Sequence, residues 1–137
     1  MPSGKSVGQS NATLDMWLGG VMPTIAGTLW LMLFTVAPNK NGGGTEVSTV
    51  GTAYARLEVT NDGTTWSVAV NGLKMNLIAF LFAQATADWG EIAAAALVNT
   101  ASGAYTQGYW GLLTRKVTIR LGDRRRFPIG AVKVTES

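Results

Sequence analysis

Short apolar runs dominate this chain of 137 residues, and turn-forming residues separate them about every 8–12 positions. Runs such as LWLMLF and NLIAFLF are long enough for a β-strand but too short for an ordinary buried helix. The residues between them, as in Asn61-Asp62-Gly63 and Asn71-Gly72, are typical of tight turns. We therefore expect an all-β protein with about eight short strands, a jelly-roll-like β-sandwich with one short N-terminal helix.

Composition narrows what such a protein can do. Cys and His are both absent, which excludes disulfides, thiolate nucleophiles, Cys/His zinc sites and the commonest acid–base residue at neutral pH. We expect no cofactor and no metal. Charged residues make up 14% of the chain, against roughly 25% in ordinary soluble domains. A surface with so little charge indicates that a partner covers part of it. We expect a homo-oligomer, either a dimer or a trimer.

The length matches one domain, and we expect a single β-sandwich over residues 1–137. Residues 1–9 are small and polar, which predicts a flexible N-terminal arm. A helix is predicted over Ser10–Gly20, because Ser10 or Thr13 can cap it and a glycine pair ends it. Three apolar side chains of this helix share one face: Leu14, Trp17 and Leu18.

Later segments carry more specific expectations. TWSVAV (65–70) predicts a short strand, and MNLIAFLFA (75–83) predicts a central strand because both of its faces are apolar. Residues 92–98 are ambiguous: four consecutive alanines favour a helix, whereas the spacing of the neighbouring turns favours a hairpin strand. The stretch from 116 to 134 predicts a hairpin about Gly122-Asp123.

One uncharged stretch is long enough to span a bilayer. No charge occurs between Met16 and Asn39, but glycines and prolines interrupt the segment, and its densest apolar run, Leu29–Phe34, has the length of a strand. We interpret it as buried core and expect no contact with a membrane.

The basic residues are unevenly distributed. Seven of them and a single acid, Asp123, lie between Arg115 and Lys133. This cluster could bind phosphates, dock on an acidic protein surface through carboxylate contacts, or form a solvated strand edge. We favour the acidic protein surface and expect no nucleic acid. The predicted partner-binding residues are Arg115, Lys116, Arg120, Arg124, Arg125, Arg126 and Trp110.

Catalytic residues are not evident in the sequence. The eight carboxylates form no pair that suggests a cleft, and Glu58, Asp88 and Glu91 fit solvated positions better than a site. We expect no enzymatic activity. Five aromatic residues could stack on sugar rings or fill the core or a subunit interface, and we favour the core or the interface. They are Trp66, Trp89, Tyr105, Tyr109 and Trp110.

Several segments together resemble a family of small bacteriophage virion proteins, described as tail-fibre-like or as capsid cement proteins. They are LWLMLFTVAP, GGGTEVSTVGTAYARLEV, NLIAF, ATADWGEI, ASGAYTQGYWG and IRLGDRRRFPIGAVKV. The segments run in the family's order and cover most of the chain from Leu29 onward. The triple arginine and the alanine run depart from the usual pattern of the family.

The resemblance implies a jelly-roll-like fold and a structural, non-enzymatic place in the phage particle, made in the cytoplasm of the bacterial host. A capsid cement or decoration protein on the capsid surface, with the major capsid protein as its partner, is the expected role, because fibre modules usually belong to longer chains. A tail-fibre or baseplate component that contacts the host receptor, or a free carbohydrate-binding module, are the alternatives.

Overall fold

A computed structural model describes residues 3–22 and 25–135 of the chain. Within these residues it contains ten strands and one helix. In chain order they are β1 (Ser3–Lys5), α1 (Val7–Gly19), β2 (Thr28–Val36), β3 (Thr45–Glu46), β4 (Leu57–Thr60), β5 (Leu73–Met75), β6 (Phe80–Leu81), β7 (Gly90–Val98), β8 (Gly108–Ile119), β9 (Arg126–Phe127) and β10 (Lys133–Thr135).

The strands form one large antiparallel sheet and two small ribbons. The large sheet has the order β1-β8-β7-β2-β3, and β4 pairs with the same edge of β2 as β3 does. The ribbons are β5-β10 and β6-β9. Residues of the large sheet and of β6 and β9 share one apolar core. The prediction of an all-β sandwich with one short N-terminal helix is confirmed.

Strand β2 lies inside the large sheet because its sequence is apolar on both faces. Leu31 and Leu33 belong to the main core, while Met32 and Phe34 belong to a second cluster on the opposite face. Side chains alternate across a strand, so an unbroken apolar run can be buried only where both faces are covered. The predicted buried strand is therefore confirmed.

The alanine run is a strand. Ala94, Ala95 and Ala96 pair with β2 on one side and with β8 on the other. Ala94 and Ala96 pack in the second cluster with larger side chains that include Trp30 and Trp110, whereas Ala95 packs against the main core. Cross-strand partners on both edges outweigh the helical propensity of alanine, because strand preference depends mainly on packing.

The predicted central strand over residues 75–83 is wrong. The segment divides into the end of β5 and the short strand β6, and Leu77 and Ile78 between them are exposed. Asn76 causes the break. Its buried side chain makes hydrogen bonds to backbone groups that would otherwise be free to pair with a neighbouring strand. Residues 65–70 also form no regular strand and make only isolated bridges at Trp66 and Val70.

The predicted hairpin about Gly122-Asp123 is wrong in its pairing. The turn exists, since the Asp123 carboxylate accepts a hydrogen bond from the Arg120 amide at 2.9 Å. However, β8 does not pair with β9. The chain crosses instead to β6, where the Phe82 amide donates to the Arg125 carbonyl at 3.0 Å.

The helix begins earlier than the sequence predicts, and its cap is Ser6 rather than Ser10 or Thr13. The Ser6 hydroxyl accepts hydrogen bonds from the Gln9 and Gly108 amides and donates one to the Thr106 carbonyl oxygen at 2.9 Å. It therefore caps α1 and ties it to β8 at once. The glycine stop is confirmed, because Gly20 ends the helix in the left-handed conformation.

The segment predicted as an arm, residues 1–9, differs from that expectation where it is described. Residues 3–5 form β1 and pair with residues 109–111 of β8 in the same chain, and residues 7–9 belong to α1. Residues 1 and 2 lie outside the described part of the chain. That residues 1–137 form a single domain stays a prediction.

Candidate functional site

The first part of the predicted basic site lies on a bulge of β8. Between two paired positions, the four residues 113–116 of β8 stand opposite Ala93 alone. Arg115 and Lys116 are exposed on this bulge. The Lys116 ammonium is 3.9 Å from a Glu91 carboxylate oxygen, and both side chains are mostly exposed. Such a pair contributes little to stability, so these cations are available to a partner.

The second part surrounds the turn after β8. Arg120 precedes the turn, Arg124 and Arg126 follow it, and all three are exposed. The Arg124 Nε donates a hydrogen bond to the Phe82 carbonyl oxygen at 3.0 Å. This contact orients the stem of the side chain while its terminal nitrogens point away from that bond. We call Arg115, Lys116, Arg120 and Arg124–Arg126 together the basic end.

Arg125 differs from its two neighbours. Its guanidinium carbon lies 4.6 Å above the centre of the Phe127 ring. Partial burial there lowers the pKa of Arg125 from its ordinary value, because the charged form loses water. Arg125 is therefore engaged within the protein, whereas Arg124 and Arg126 are exposed.

Trp110 is far from the turn of the basic end, although Arg115 and Lys116 lie nearer to it on the same strand. It pairs with Ala96 of β7, six residues along that strand from Gly90, which pairs with Ile119 just before Arg120. At roughly 3.3 Å per residue this separation is roughly 20 Å. Trp110 is half-buried against the second cluster and pairs with β1 through Gly4. Its surroundings indicate a packing role.

The other predicted aromatic residues also pack within the protein. Trp66 and Trp89 are buried, and Tyr105 and Tyr109 are half-buried. The Trp89 ring nitrogen donates to the Thr52 carbonyl oxygen at 2.8 Å, and its ring meets that of Tyr54 edge-on. These contacts favour core packing over a sugar-binding platform.

A buried polar cluster that the sequence did not reveal crosses one edge of the large sheet. The Arg56 guanidinium binds both oxygens of Glu46, at 2.9 and 3.0 Å, and also donates to Thr100 and to the Gly103 carbonyl oxygen. All of its nitrogens are therefore bonded. The cluster ties β3 to the loop before β8. Its only sequence signal was a slip in the alternation near Ala55.

An exposed apolar surface was also missed. On the side of α1 turned toward the body Ala12 and Met16 are half-buried, whereas the larger apolar residues Leu14, Trp17 and Leu18 are exposed. We define the N-terminal apolar surface by six exposed side chains, three of α1 and three that follow it: Leu14, Trp17, Leu18, Val21, Met22 and Ile25. Beside it, a groove of about 710 Å³ separates α1 from the sheet.

The rotation of α1 explains why its apolar side chains are exposed. Gly8 lies against the Thr106 carbonyl oxygen so closely that an added Cβ would collide with it. Because of this approach and the Ser6 cap, the side of α1 that carries Gly8 lies against the body of the protein. Leu14 therefore points away from the body. The spacing of Leu14, Trp17 and Leu18 was recognisable in the sequence, but the partner of that face was not.

The anchor of α1 and the turn of the basic end lie toward opposite ends of the large sheet. Gly108, which holds the start of α1, pairs with Val98, whereas Ile119 just before the turn pairs with Gly90. Val98 is eight positions along β7 from Gly90, which corresponds to roughly 26 Å.

Neither a metal-binding group nor a membrane-spanning helix is found in residues 3–22 and 25–135. No three acidic side chains there come together so that they could hold an ion. The helix in that part of the chain is too short to cross a bilayer.

A comparison with family models identifies the chain. A model described as "Podophage GP4 fiber I protein gp80" matches residues 4–135. The chain belongs to this family. A search of curated proteins gave no match.

The gp80 family confirms the resemblance to small bacteriophage virion proteins, and the chain is a structural protein of that class. The printed description names a fibre. It agrees with the tail-fibre alternative at least as well as with a capsid cement protein. The matched range includes all of the strands except the first residue of β1, so the whole sandwich belongs to the family domain.

Proposed function

We propose that this protein is a non-enzymatic structural subunit of a podophage tail fibre. The observation that carries the proposal is the match of the fibre I family over residues 4–135. The match extends from β1 to β10, so the proposal concerns the entire sandwich and not one motif within it.

The geometry supports an assembly role. A fibre subunit needs at least two attachment surfaces that can be occupied together, one toward other subunits and one toward the next component. The anchor of α1 and the turn of the basic end are roughly 26 Å apart along the large sheet, and the N-terminal apolar surface and the basic end differ in chemistry. One surface suits an acidic partner, and the other suits an apolar partner.

For the basic end we propose an acidic surface of a neighbouring virion protein as the partner. Arg124 and Arg126 are exposed, and arginine forks bind carboxylates in pairs of parallel hydrogen bonds. The major capsid protein is the partner if the chain is a capsid cement protein. In a tail fibre the same carboxylate chemistry belongs to an adjacent fibre or tail component.

Copy number and position in the particle distinguish these roles. We would tag the C-terminus, purify particles, and measure the copies of this chain per portal ring by quantitative mass spectrometry, with the major capsid protein as an internal standard. Immunogold labelling of the same particles gives the position, and untagged particles are the control. A tail fibre predicts a few to tens of copies with label at the tail. Hundreds of copies with label on the head would overturn the proposal in favour of a capsid cement protein.

A further inference from the structure

The N-terminal apolar surface is larger than a soluble monomer ordinarily exposes. Trp17 is 78% exposed and Leu18 is 83% exposed, and the other four residues are each more than half exposed. Summed over the six residues, the exposed area is roughly 800 Å², whereas the largest contiguous apolar patch on a typical monomer is roughly 300–600 Å². A surface of this size indicates an interaction site.

The total surface of the chain supports the same view. The accessible surface is 8008 Å² for a chain of 14.4 kDa. A compact monomer of that mass exposes about 6,800 Å². The excess of about 1,200 Å² exceeds the N-terminal apolar surface, so cover of that surface would bring the chain close to the expected value.

Hydrogen bonds at the start of α1 fix the position of the helix that carries the N-terminal apolar surface. The Ser6 side chain bonds to Gly108 and Thr106, and the Val7 amide donates to the Lys40 carbonyl oxygen at 3.1 Å. These bonds attach the first turn to two different loops. The rest of the helix extends from that anchor with no buried residue.

We propose that the N-terminal apolar surface is a contact between copies of this chain, in which α1 of one copy packs against α1 of another. Leu14, Trp17 and Leu18 recur at the three- and four-residue spacing with which helices pack side by side. The area of roughly 800 Å² equals what each partner contributes to a stable interface of standard size. The inference goes beyond the fibre assignment and does not depend on it.

The charge on α1 fits a second copy better than a lipid surface. Asp15 is the only charged residue between Val7 and Met22. Helices that lie on membranes usually carry lysine and arginine on their polar face, which attract anionic lipids. An almost uncharged helix, by contrast, can pack on an identical helix without strong repulsion.

Sedimentation of the full chain with surface variants tests the proposal. We expect wild type to form dimers or trimers at micromolar concentration, and the double variant Trp17→Glu/Leu18→Glu to raise the dissociation constant at least ~30-fold. The folded sheet should be unaffected, because both side chains are exposed, and circular dichroism checks this. Thr49→Glu/Val50→Glu is the matched control, since it adds the same two charges at neighbouring exposed sites outside α1 and should retain association.

Cysteine scanning gives a second measurement that does not depend on affinity. The chain has no cysteine, so a single introduced thiol can form a disulfide only with another copy. We expect oxidative cross-linking from at least one of Leu14→Cys, Trp17→Cys and Leu18→Cys, and none from Thr49→Cys, an exposed site outside α1.

Three results would overturn the proposal. One is a 14.4 kDa monomer at every concentration. Another is association that Trp17→Glu/Leu18→Glu leaves unchanged, which would assign the contact to a different surface. The third is a monomer that co-sediments with phosphatidylcholine/phosphatidylglycerol vesicles in a Trp17-dependent manner, which would assign the surface to lipid.

Discussion

The Tyr54 hydroxyl accepts a hydrogen bond from the Leu33 backbone amide at 3.0 Å, in the middle of an interrupted sheet edge. Strands β3 and β4 pair with the same edge of β2 but leave a gap at this position. Tyr54 fills the gap and donates in turn to a Glu46 carboxylate oxygen at 2.7 Å. A side chain thus replaces a missing strand partner, and the buried amide stays satisfied.

The position of Tyr54 predicts a loss of stability in alkali. Burial, which disfavours the phenolate, is the main cause that raises the pKa of Tyr54 above its ordinary value of 10.0. In the unfolded chain tyrosine loses its proton near pH 10, so the free energy of unfolding should be constant below that pH and fall above it. The slope can reach about 1.4 kcal/mol per pH unit. Urea unfolding between pH 8 and 11 would measure it.

Two variants separate the contribution of Tyr54 from that of other groups. In Tyr54→Phe the free energy of unfolding should fall much less steeply above about pH 10 than in wild type. Tyr105→Phe should change that slope less. Burial also raises the pKa of Tyr105, but this residue is only half-buried. An equal pH slope in wild type and Tyr54→Phe would contradict the prediction.

The Arg56–Glu46 ion pair predicts that substitutions at these two residues have strongly coupled effects on the free energy of unfolding. Arg56→Ala should lower the free energy of unfolding by about 3–5 kcal/mol, because it leaves the Glu46 carboxylate without its partner and frees two loop carbonyls. Arg56→Met combined with Glu46→Leu should be less destabilised than Arg56→Ala alone. Denaturant unfolding of the single and double variants forms a cycle, and strictly additive effects would contradict this view of the cluster.

Asn76 predicts a second large effect. It is fully buried, and its amide bonds to the carbonyl oxygens of Ile78 and Pro128 and to the Val132 amide. Asn76→Ala leaves these groups without partners and should cost about 3 kcal/mol. Asn99→Ala is the matched control, since that asparagine also makes three side-chain bonds but at a more exposed site, and should cost about 1 kcal/mol. Equal losses in chemical denaturation would show that burial is not the deciding factor.

The arginines of the basic end predict a salt-dependent attachment. Arg124→Ala/Arg126→Ala should leave the isolated protein folded, because both side chains are exposed, but should release it from particles at lower salt than wild type. Arg125→Ala should retain attachment and lose under about 1 kcal/mol of stability, since it removes the contact with Phe127. Particles washed at increasing salt and assayed for bound protein give the measurement. Identical release curves for wild type and the double variant would show that these arginines form a solvated strand edge with no role in attachment.

The buried strand β2 was predictable because both of its faces are apolar. LWLMLF could be assigned to a buried strand because no exposed position suits it. The alanine run stayed ambiguous because alanine packs in either structure, and only the partners β2 and β8 decide between them. Local propensity is a weak guide where neighbours occupy both edges of a strand.

The failed predictions arose where one side chain determines the path of the chain. A single asparagine, Asn76, interrupts an apolar run that otherwise predicts one strand. Arg56 lies in a strand-like alternation as an ordinary surface residue would, and only its five hydrogen bonds show that it is buried. In the basic end, the alternation of side chains along an extended chain separates Arg125 from Arg124 and Arg126, but only the structure shows that the ring of Phe127 engages Arg125.

Helix α1 contributes nothing buried and is held chiefly by Ser6, Gly8 and main-chain groups. Substitutions along its outer residues therefore leave the folding of the sheet almost untouched. Selection on those residues acts through what the helix contacts, and a lineage can change that contact without first acquiring a compensating change in the core. Related chains that keep the contact between copies should preserve Ser6 and Gly8 for the fold and apolar side chains at Leu14, Trp17 and Leu18 for association.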